Sequence, residues 1–219
     1  MKKATVHEKE VTIPVGKEVV YGNLTVPNGA KSIVLFAHGS GSGRFSTRNT
    51  FVAREINAAG IATLLIDLLT QEEEQIDEFT GEFRFNIDLL AQRLVHATEW
   101  VKKNQDTKSL VVGYFGASTG AAAALIAAVK LPEHVKAVVS RGGRPDLAGE
   151  YLPKVKAPTL LIVGGDDTEV LELNRQASRQ MTSEVKIVVV PGATHLFEES
   201  GKLEEVARLA IDWFSKHLG

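Results

Sequence analysis

The chain has 219 residues, with 25 Lys and Arg against 27 Asp and Glu, and a formal net charge of −2. A nearly neutral chain without a long basic block is not typical of nucleic-acid-binding proteins, so we expect no nucleic-acid partner. The sequence has no cysteine, which excludes thiol nucleophiles, disulfides and iron–sulfur or Cys-ligated zinc sites.

The length predicts a single domain over residues 1–219. The N-terminal sequence MKKATVHEKEVTIPVGKE has two lysines but no apolar segment after them, so it does not resemble a secretory signal. Every apolar run is shorter than the ~18 residues that a membrane span requires. We therefore expect a cytoplasmic protein with no membrane partner.

The first predicted element is an antiparallel hairpin. Val11–Pro14 and Val19–Val26 alternate apolar and polar residues around Gly16, as strands with one wet face do. Ser32–Ala37 is continuously apolar, which predicts a strand covered on both faces. A glycine-rich loop, residues 38–43, follows this strand.

Helical and strand patterns alternate along the rest of the chain, apart from residues 67–85, which we predict to be irregular. This alternation favours a mostly parallel, doubly wound sheet between two helical layers, an α/β/α sandwich with the hairpin at its N-terminus. In such a sheet the ligand site lies at the carboxyl ends of the strands. The predicted helices are Asn49–Ala59, residue 86 or 88 to about 104, Ala121–Val129, Val170–Met181 and Lys202–Leu218, and the predicted strands are Ile61–Leu65, Leu110–Phe115, Val135–Val139, Thr159–Val163 and Val185–Val190.

The sequence Gly-Ala-Ser-Thr-Gly at residues 116–120 lies between a predicted strand and a predicted helix. In this context the motif G-x-S-x-G forms a tight, strained turn that exposes the serine hydroxyl above the sheet. The glycines let strand and helix approach closely. The motif therefore predicts that Ser118 is a nucleophile, whereas a plain Gly/Ser loop is the alternative.

A serine nucleophile needs a base, and the base needs an orienting carboxylate. His195 follows the last predicted strand, and the neighbouring Asp166 and Asp167 follow the strand before it. Both groups should thus emerge at the same sheet edge as Ser118, in the chain order Ser, Asp, His of α/β-hydrolases. Either aspartate can take the orienting role, and the other can cap the next helix.

Two backbone amides should bind the oxyanion of the tetrahedral intermediate. We predict the amide of Thr119, directly after the nucleophile, and that of Ser40 in the glycine-rich loop. A phosphate-binding loop is the alternative for residues 38–43, but neither common glycine-rich phosphate motif is present. His38 lacks partners at metal-ligand spacing and is predicted to be structural.

Two arginines, Arg141 and Arg144, follow another predicted strand and are candidates for binding a substrate carboxylate. Arg44 or Arg48 could also reach the pocket. Surface ion pairs, for example with Asp146, explain the same sequence equally well.

The serine motif, the His-Gly-Ser-Gly loop, Gly-Gly-Asp-Asp and the late Gly-Ala-Thr-His segment resemble the dienelactone-hydrolase-like branch of the α/β-hydrolase superfamily, from about residue 11 to the end. The chain is also similar to hydrolase domains found fused to phosphoribosyltransferases. The resemblance implies that Asp167 is the orienting acid. Dienelactone hydrolases proper use a cysteine, and serine in its place implies an ordinary serine esterase.

The resulting prediction is a hydrolase that cleaves small carboxylic esters through an acyl-enzyme, with Ser118, His195 and Asp167 as the triad. It requires no metal and no organic cofactor, and its partner is the ester substrate. We expect a monomer or a homodimer. The alternatives are a non-catalytic binding module on the same fold, and an acyltransferase or perhydrolase that uses the same triad.

Overall fold

The computed structural model describes residues 6–219. The expectation about a secretory signal depends partly on residues 1–5, which lie outside the described range, and it stays a prediction. The elements, in chain order, are β1 (Val6–Val15), β2 (Glu18–Pro27), β3 (Ser32–Ala37), α1 (Thr47–Ala58), β4 (Ala62–Ile66), α2 (Gln71–Thr80), α3 (Ile87–Lys103), β5 (Val111–Ala117), α4 (Thr119–Lys130), β6 (Val135–Arg141), a 3₁₀ segment (Pro145–Lys154), β7 (Thr159–Gly164), α5 (Thr168–Ser178), β8 (Val185–Val190) and α6 (Lys202–Leu218).

The strands form one eight-stranded sheet in the order β1-β2-β4-β3-β5-β6-β7-β8. Strand β2 pairs antiparallel with both β1 and β4, and all other neighbours are parallel. The N-terminal hairpin is longer than predicted, because pairing extends from Val6 opposite Pro27 to Val15 opposite Glu18. The predicted mostly parallel sheet with an antiparallel hairpin is confirmed.

Helices cover both faces of the sheet. Helices α3 and α4 pack on one face, and α1 and α6 pack on the other. Strand β3 contributes to both cores, since Ile33 and Leu35 belong to the first and Val34 and Phe36 to the second. A strand that is buried on both faces has a continuous apolar sequence. The three-layer α/β/α sandwich is thereby confirmed.

Helix α4 is buried from Thr119 to Ala128, which explains its alanine-rich sequence. Small side chains let it lie close to the sheet and to α3, whereas a typical surface helix has one polar face. The strand before it, β5, is tied to α3 by a 2.6 Å hydrogen bond between the buried hydroxyls of Tyr114 and Thr98. No helix within residues 6–219 has the length and apolar character needed to span a membrane.

The prediction that residues 67–85 are irregular was wrong, since α2 occupies most of this segment. Helix α2 begins with a capping box: the Thr70 hydroxyl accepts from the Glu73 amide, and the Glu73 carboxylate accepts from the Thr70 amide. Only Asp77 is buried along the helix, so there is no apolar stripe from which to detect it. The 3₁₀ segment after β6 was also not predicted.

Candidate active site

Ser118 lies at the junction between β5 and α4 in a conformation that is unusual for a residue other than glycine, with φ 50° and ψ −123°. The surrounding glycines are sterically required. A Cβ on Gly116 would lie 2.5 Å from the Cα of Ala121, and one on Gly120 would lie 2.2 Å from the carbonyl oxygen of Ala37. The motif thus forms a compact turn with a strained central serine.

The backbone of Ser118 is held on both sides. Its amide donates to the Arg141 carbonyl at 3.4 Å, and its carbonyl accepts from the amides of Ala121 at 3.1 Å and Arg144 at 3.0 Å. Although Ser118 occupies the N-cap position of α4, its hydroxyl makes no capping hydrogen bond. The hydroxyl is therefore not used in stabilising the helix and is free for a ligand.

His195 and Asp167 lie together at the carboxyl ends of β7 and β8. Nδ1 of His195 is 2.7 Å from Oδ2 of Asp167, and the two side chains are 38% and 15% exposed, respectively. The loops that carry them touch at Gly164, where a Cβ would lie 2.3 Å from the Ala193 carbonyl oxygen. Asp166, the alternative acid, is exposed, and its amide donates to the same Ala193 oxygen at 3.0 Å.

Gly142 links the serine turn to the histidine loop. It directly follows Arg141, whose carbonyl binds the Ser118 amide. A Cβ on Gly142 would lie 2.9 Å from the carbonyl oxygen of His195 and 3.6 Å from its Cε1. The ends of β5, β6 and β8 thus bring Ser118 and His195 to the same edge of the sheet.

The glycine-rich loop packs against the serine turn. A Cβ on Gly39 would lie 3.0 Å from the Cβ of Ser118. Ser40, the next residue, is exposed and lines a cleft of about 190 Å³. Thr119 is the first residue of α4, where backbone amides have no intrahelical acceptor. Both predicted oxyanion donors therefore lie near Ser118, and their role stays a prediction.

The buried side chain of His38 links this loop to the residues after β4. It is buried, its Nε2 accepts from the Leu68 amide at 3.0 Å, and its Nδ1 is 2.9 Å from the Gly39 carbonyl oxygen. Burial lowers the pKa of His38 below 6.5. A neutral ring with a proton on Nδ1 satisfies both bonds, which agrees with the predicted structural role.

The two candidate substrate-binding arginines occupy different environments. Arg144 makes a two-point ion pair with Asp146 through Nε at 2.9 Å and Nη2 at 2.8 Å. Arg141 is only 5% exposed and instead donates from Nη2 to Oδ1 of Asn49 at 3.2 Å. The ion-pair alternative thus accounts for Arg144 and not for Arg141.

Helix α2 covers one side of the cleft, and sequence reasoning missed its contribution. Glu74 and Glu78 line the cleft beside Ser40. Burial and the negative charges of Asp67, Glu78 and Asp77 raise the pKa of Glu74. The capping sequence Thr70-x-x-Glu73 was the available signal for this helix. Within the described part of the chain, no three His, Asp or Glu side chains are arranged to hold a metal ion.

Residues 21–218 match the dienelactone hydrolase family. A crystal structure of a dienelactone hydrolase from Anabaena variabilis superposes on the chain with a TM-score of 0.96 and 58% identity, covering 98% of this chain and 99% of that one. Est1E from Butyrivibrio proteoclasticus superposes with a TM-score of 0.78 and 17% identity, covering 94% of this chain and 98% of Est1E. At that identity the likeness concerns the fold alone.

Curated relatives are longer proteins. Two sequences from strains of Mycobacterium tuberculosis, both provisionally named phosphoribosyl transferase, are 57% identical over 211 residues, which is 96% of this chain and 47% of theirs. A Yersinia pestis protein provisionally named carboxymethylenebutenolidase is 31% identical over 147 residues, 57% of this chain and 53% of that protein. The chain thus spans about half the length of the curated relatives it matches.

Proposed function

Because the chain belongs to the dienelactone hydrolase family, we propose that it is a serine hydrolase that cleaves small carboxylic esters through an acyl-enzyme. The observation that carries this proposal is the 2.7 Å contact between His195 and Asp167 at the sheet edge where the strained Ser118 lies. The family and the carboxymethylenebutenolidase relative support hydrolysis in general, and the serine mechanism and the ester substrate are our additions.

In the proposed mechanism, Ser118 Oγ attacks the carbonyl carbon of the ester while His195 takes the hydroxyl proton. Collapse of the tetrahedral intermediate breaks the bond to the alcohol oxygen, which receives that proton from His195. Water then repeats the sequence on the acyl-enzyme and releases the acid. Asp167 keeps Nδ1 of His195 protonated and stabilises the imidazolium, which leaves Nε2 for the serine proton.

The amides of Ser40 and Thr119 are the proposed donors for the oxyanion. Three features support this assignment: the loop that carries Ser40 packs on the serine turn, Thr119 begins a helix, and the positive end of that helix dipole stabilises negative charge. Fixed amides need no reorientation as the charge develops. The contacts of His38 with the Leu68 amide and the Gly39 carbonyl help to hold this loop in position.

We propose short acyl chains as substrates because the cleft beside Ser40, the proposed oxyanion donor, holds only about 190 Å³ between the glycine-rich loop and α2. A panel of 4-nitrophenyl esters tests this. We expect kcat/KM to fall once the acyl chain is longer than about eight carbons, since the excess chain cannot be enclosed. A steady rise in kcat/KM beyond that length would contradict the assignment.

The phosphoribosyl transferase name belongs to relatives about twice as long as this chain, so it does not define the reaction of the shared half. The alignment with a dienelactone hydrolase covers 99% of that structure. We therefore assign ester hydrolysis to this part of the sequence. A non-catalytic module and an acyltransferase or perhydrolase remain as outcomes of the tests.

A fluorophosphonate probe tests the proposal without knowledge of the substrate. At neutral pH we expect one adduct, on Ser118, located by peptide mass spectrometry. Ser118→Ala should abolish labelling and lower any ester hydrolysis by roughly 10⁴-fold or more. His195→Ala should slow labelling by a similar factor, whereas Ser215→Ala, at an exposed position on α6, serves as the matched control.

The rival functions give different results. Absence of labelling in the wild-type protein would favour the non-catalytic module. Rapid labelling together with a higher rate of ester consumption on addition of methanol or peroxide would favour acyl transfer to those acceptors. An ester-hydrolysis rate that Ser118→Ala leaves unchanged would refute the proposed nucleophile.

A further inference from the structure

The glycine-rich loop contains too many glycines to fix its own conformation. Three of its six residues, Gly39, Gly41 and Gly43, are glycines, and glycine has the widest range of allowed backbone angles. The loop carries Ser40, whose amide is a proposed oxyanion donor, and such a donor is effective when it is held in place before the charge develops. Side chains outside the loop are therefore needed to hold it.

The residues that follow β4 hold the loop at its two ends. Strands β3 and β4 are parallel neighbours, so the loop after β3 and residues 67–68 after β4 leave the sheet at the same edge. At the start of the loop, His38 accepts from the Leu68 amide at 3.0 Å. Directly after the loop, the Arg44 amide donates to Oδ1 of Asp67 at 2.8 Å. Two consecutive residues, Asp67 and Leu68, thus bind both ends of the loop.

The Asp67 carboxylate also binds the Arg44 side chain. Its Oδ2 is 3.5 Å from Nη1 of Arg44, and Nη2 of Arg44 donates to Glu10 at 2.8 Å. The guanidinium lies over the ring of Tyr21, 5.2 Å from its centroid, and the Arg44 side chain is 11% exposed. Sequence reasoning allowed Arg44 to reach the substrate pocket, but two carboxylates and an aromatic ring bind it instead.

The Asp67 carboxylate fits closely against the loop. A Cβ on Gly43 would lie 3.0 Å from Oδ1 of Asp67. The backbone of Asp67 is itself anchored to β2, because its amide donates to the Tyr21 carbonyl at 2.9 Å. An anchored side chain therefore contacts the end of the loop.

The two carboxylates that bind Arg44 differ in what they can hold. Glu10 is 61% exposed and contacts the guanidinium, and an exposed ion pair of this kind contributes little. Asp67 is 27% exposed and also accepts from the backbone amide, a bond that rotation of the Arg44 side chain does not break. We therefore expect Asp67, and not Glu10, to determine the position of the loop.

The loop connects Asp67 with the proposed nucleophile. At its other end, a Cβ on Gly39 would lie 3.0 Å from the Cβ of Ser118. Ser40 lines the cleft beside α2, whereas Asp67 does not line this cleft. An effect of Asp67 on the reaction thus passes through the loop and not through contact with the substrate.

We propose that Asp67 is a positioning residue for the proposed oxyanion site. By binding the Arg44 amide and guanidinium, it holds the end of the glycine-rich loop, and thereby keeps the Ser40 amide directed at the oxygen that becomes negative. This inference rests on the proposed ester hydrolysis and deepens it.

A boronic acid measures the oxyanion site directly. Oγ of Ser118 bonds to the boron of butylboronic acid while His195 takes the hydroxyl proton, which gives a tetrahedral anion that resembles the reaction intermediate. In Asp67→Ala we expect the Ki of butylboronic acid to rise by roughly tenfold to hundredfold. The kcat for 4-nitrophenyl butanoate should fall by a similar factor, with KM within about threefold of wild type. Ki does not depend on the folded fraction, so a purely structural role would not change it.

Three further variants make the test specific. Glu10→Ala removes the other carboxylate from the same guanidinium and should leave Ki within about threefold of wild type. Asp67→Asn keeps an oxygen that can accept from the Arg44 amide, and we expect it to restore most of the affinity. Gly43→Ala crowds the Asp67 carboxylate, at a glycine without a positive φ, and should raise Ki by roughly threefold or more. It keeps the test decisive if Asp67→Ala does not fold.

The results separate the two proposals. Labelling of Ser118 by fluorophosphonate in the wild-type protein, together with an unchanged Ki in Asp67→Ala, or in Gly43→Ala if the first variant does not fold, would overturn the positioning role alone. Equal increases in Ki in Asp67→Ala and Glu10→Ala would also overturn it, because the ion pairs of Arg44 in general would then be responsible. Absence of both labelling and boronate binding in the wild-type protein would overturn the serine hydrolase and the positioning role together.

Discussion

The neighbouring residues Asp166 and Asp167 illustrate how one position in a turn separates two possible roles. After β7 the chain turns back at Gly164, whose carbonyl accepts the Asp167 amide at 3.2 Å. This turn directs the Asp167 carboxylate to His195 and leaves Asp166 exposed. The sequence alone left both aspartates open, and only the resemblance favoured Asp167, because the direction of each side chain depends on the turn.

The first prediction uses Asp166 as a matched control for Asp167. Asp167→Asn removes the charge that stabilises imidazolium and allows the wrong His195 tautomer, so we expect kcat/KM for a short 4-nitrophenyl ester to fall by roughly 10³- to 10⁴-fold. Asp166→Asn should change it less than about threefold, since its side chain has no contact with His195. Equal losses in the two variants would contradict the assignment of the acid.

At the scale of elements, the glycine-rich loop depends on a histidine that must stay neutral. The imidazole of His38 joins Gly39 in the loop to Leu68 after β4. Protonation at Nε2 would replace the acceptor for the Leu68 amide with a donor. The loop that carries Ser40 is thus tied to the protonation state of a buried side chain.

The second prediction is a loss of stability in acid that His38 causes. Burial holds its folded-state pKa below 6.5, so as the pH falls through 6.5 the unfolded chain binds a proton that the folded chain does not. Above that pH, neutral His38 makes its full contribution to the free energy of unfolding. Below it, this contribution decreases by at most about 1.4 kcal/mol per pH unit. Urea unfolding at about pH 7.5 and about pH 5.5 measures the slope.

The corresponding control separates His38 from the other titrating groups. His38→Gln can keep an acceptor and a donor without titrating, and we expect a smaller loss of unfolding free energy between the two pH values. His134→Gln, at an exposed position, should retain the wild-type loss. If both variants lost stability in acid as the wild type does, His38 would not be the cause.

Helix α2 is held by polar contacts and not by an apolar stripe. The Asp77 carboxylate accepts from the Phe83 amide at 2.6 Å, the Arg84 amide at 3.0 Å and Nε of Arg84 at 2.6 Å. At the other end, Glu73 pairs with Arg93 on α3. These contacts close the segment into a cover over the cleft.

The third prediction concerns the mobility of this cover. Asp77→Ala leaves buried donors unsatisfied and removes the main link across the C-terminal end of α2, so we expect faster amide hydrogen exchange over residues 71–86, by roughly tenfold or more. Gln75→Ala, exposed on the same helix, should exchange at the wild-type rate. Unchanged exchange in Asp77→Ala would show that other contacts hold α2.

At the scale of the whole molecule, the sheet and its two helical layers could be predicted because periodicity reflects burial. Strand β3 is apolar from Ile33 to Ala37 because both of its faces are covered, and α6 has a regular apolar face because only one side packs. Strand order was not predictable, since pairings such as β2 with β4 join segments far apart in the sequence.

The features that sequence reasoning missed depend on long-range contacts or lack a periodic signal. The burial of Arg141 depends on Asn49, which is 92 positions away in the chain. A strand ending in arginine has the same sequence whether that arginine is buried or on the surface. Helix α2 exposes its larger apolar side chains, Ile76 and Phe79, so its pattern resembles that of a loop.

The last prediction tests whether the sheet behaves as one cooperative unit beneath the proposed site. Phe214 on α6 is fully buried, and its ring lies 3.0 Å from where a Cβ on Gly113 would be, on the strand that leads to Ser118. Phe214→Ala leaves a cavity in this core, so we expect the free energy of unfolding to fall by about 3 to 5 kcal/mol in urea titrations. Ser215→Ala, the exposed neighbour, should change it by less than about 0.5 kcal/mol.

The same variant separates stability from the geometry of the site. Phe214 packs on the face of the sheet that α1 and α6 cover, and it touches neither Ser118 nor His195. The folded fraction of Phe214→Ala should therefore react with fluorophosphonate within about threefold of the wild-type rate, measured at a urea concentration well below the unfolding midpoint of the variant. A single unfolding transition, seen alike by far-ultraviolet circular dichroism and by tryptophan fluorescence, is expected if the sheet is cooperative. Two separated transitions would show instead that α6 and its core unfold independently of the strands that carry the serine.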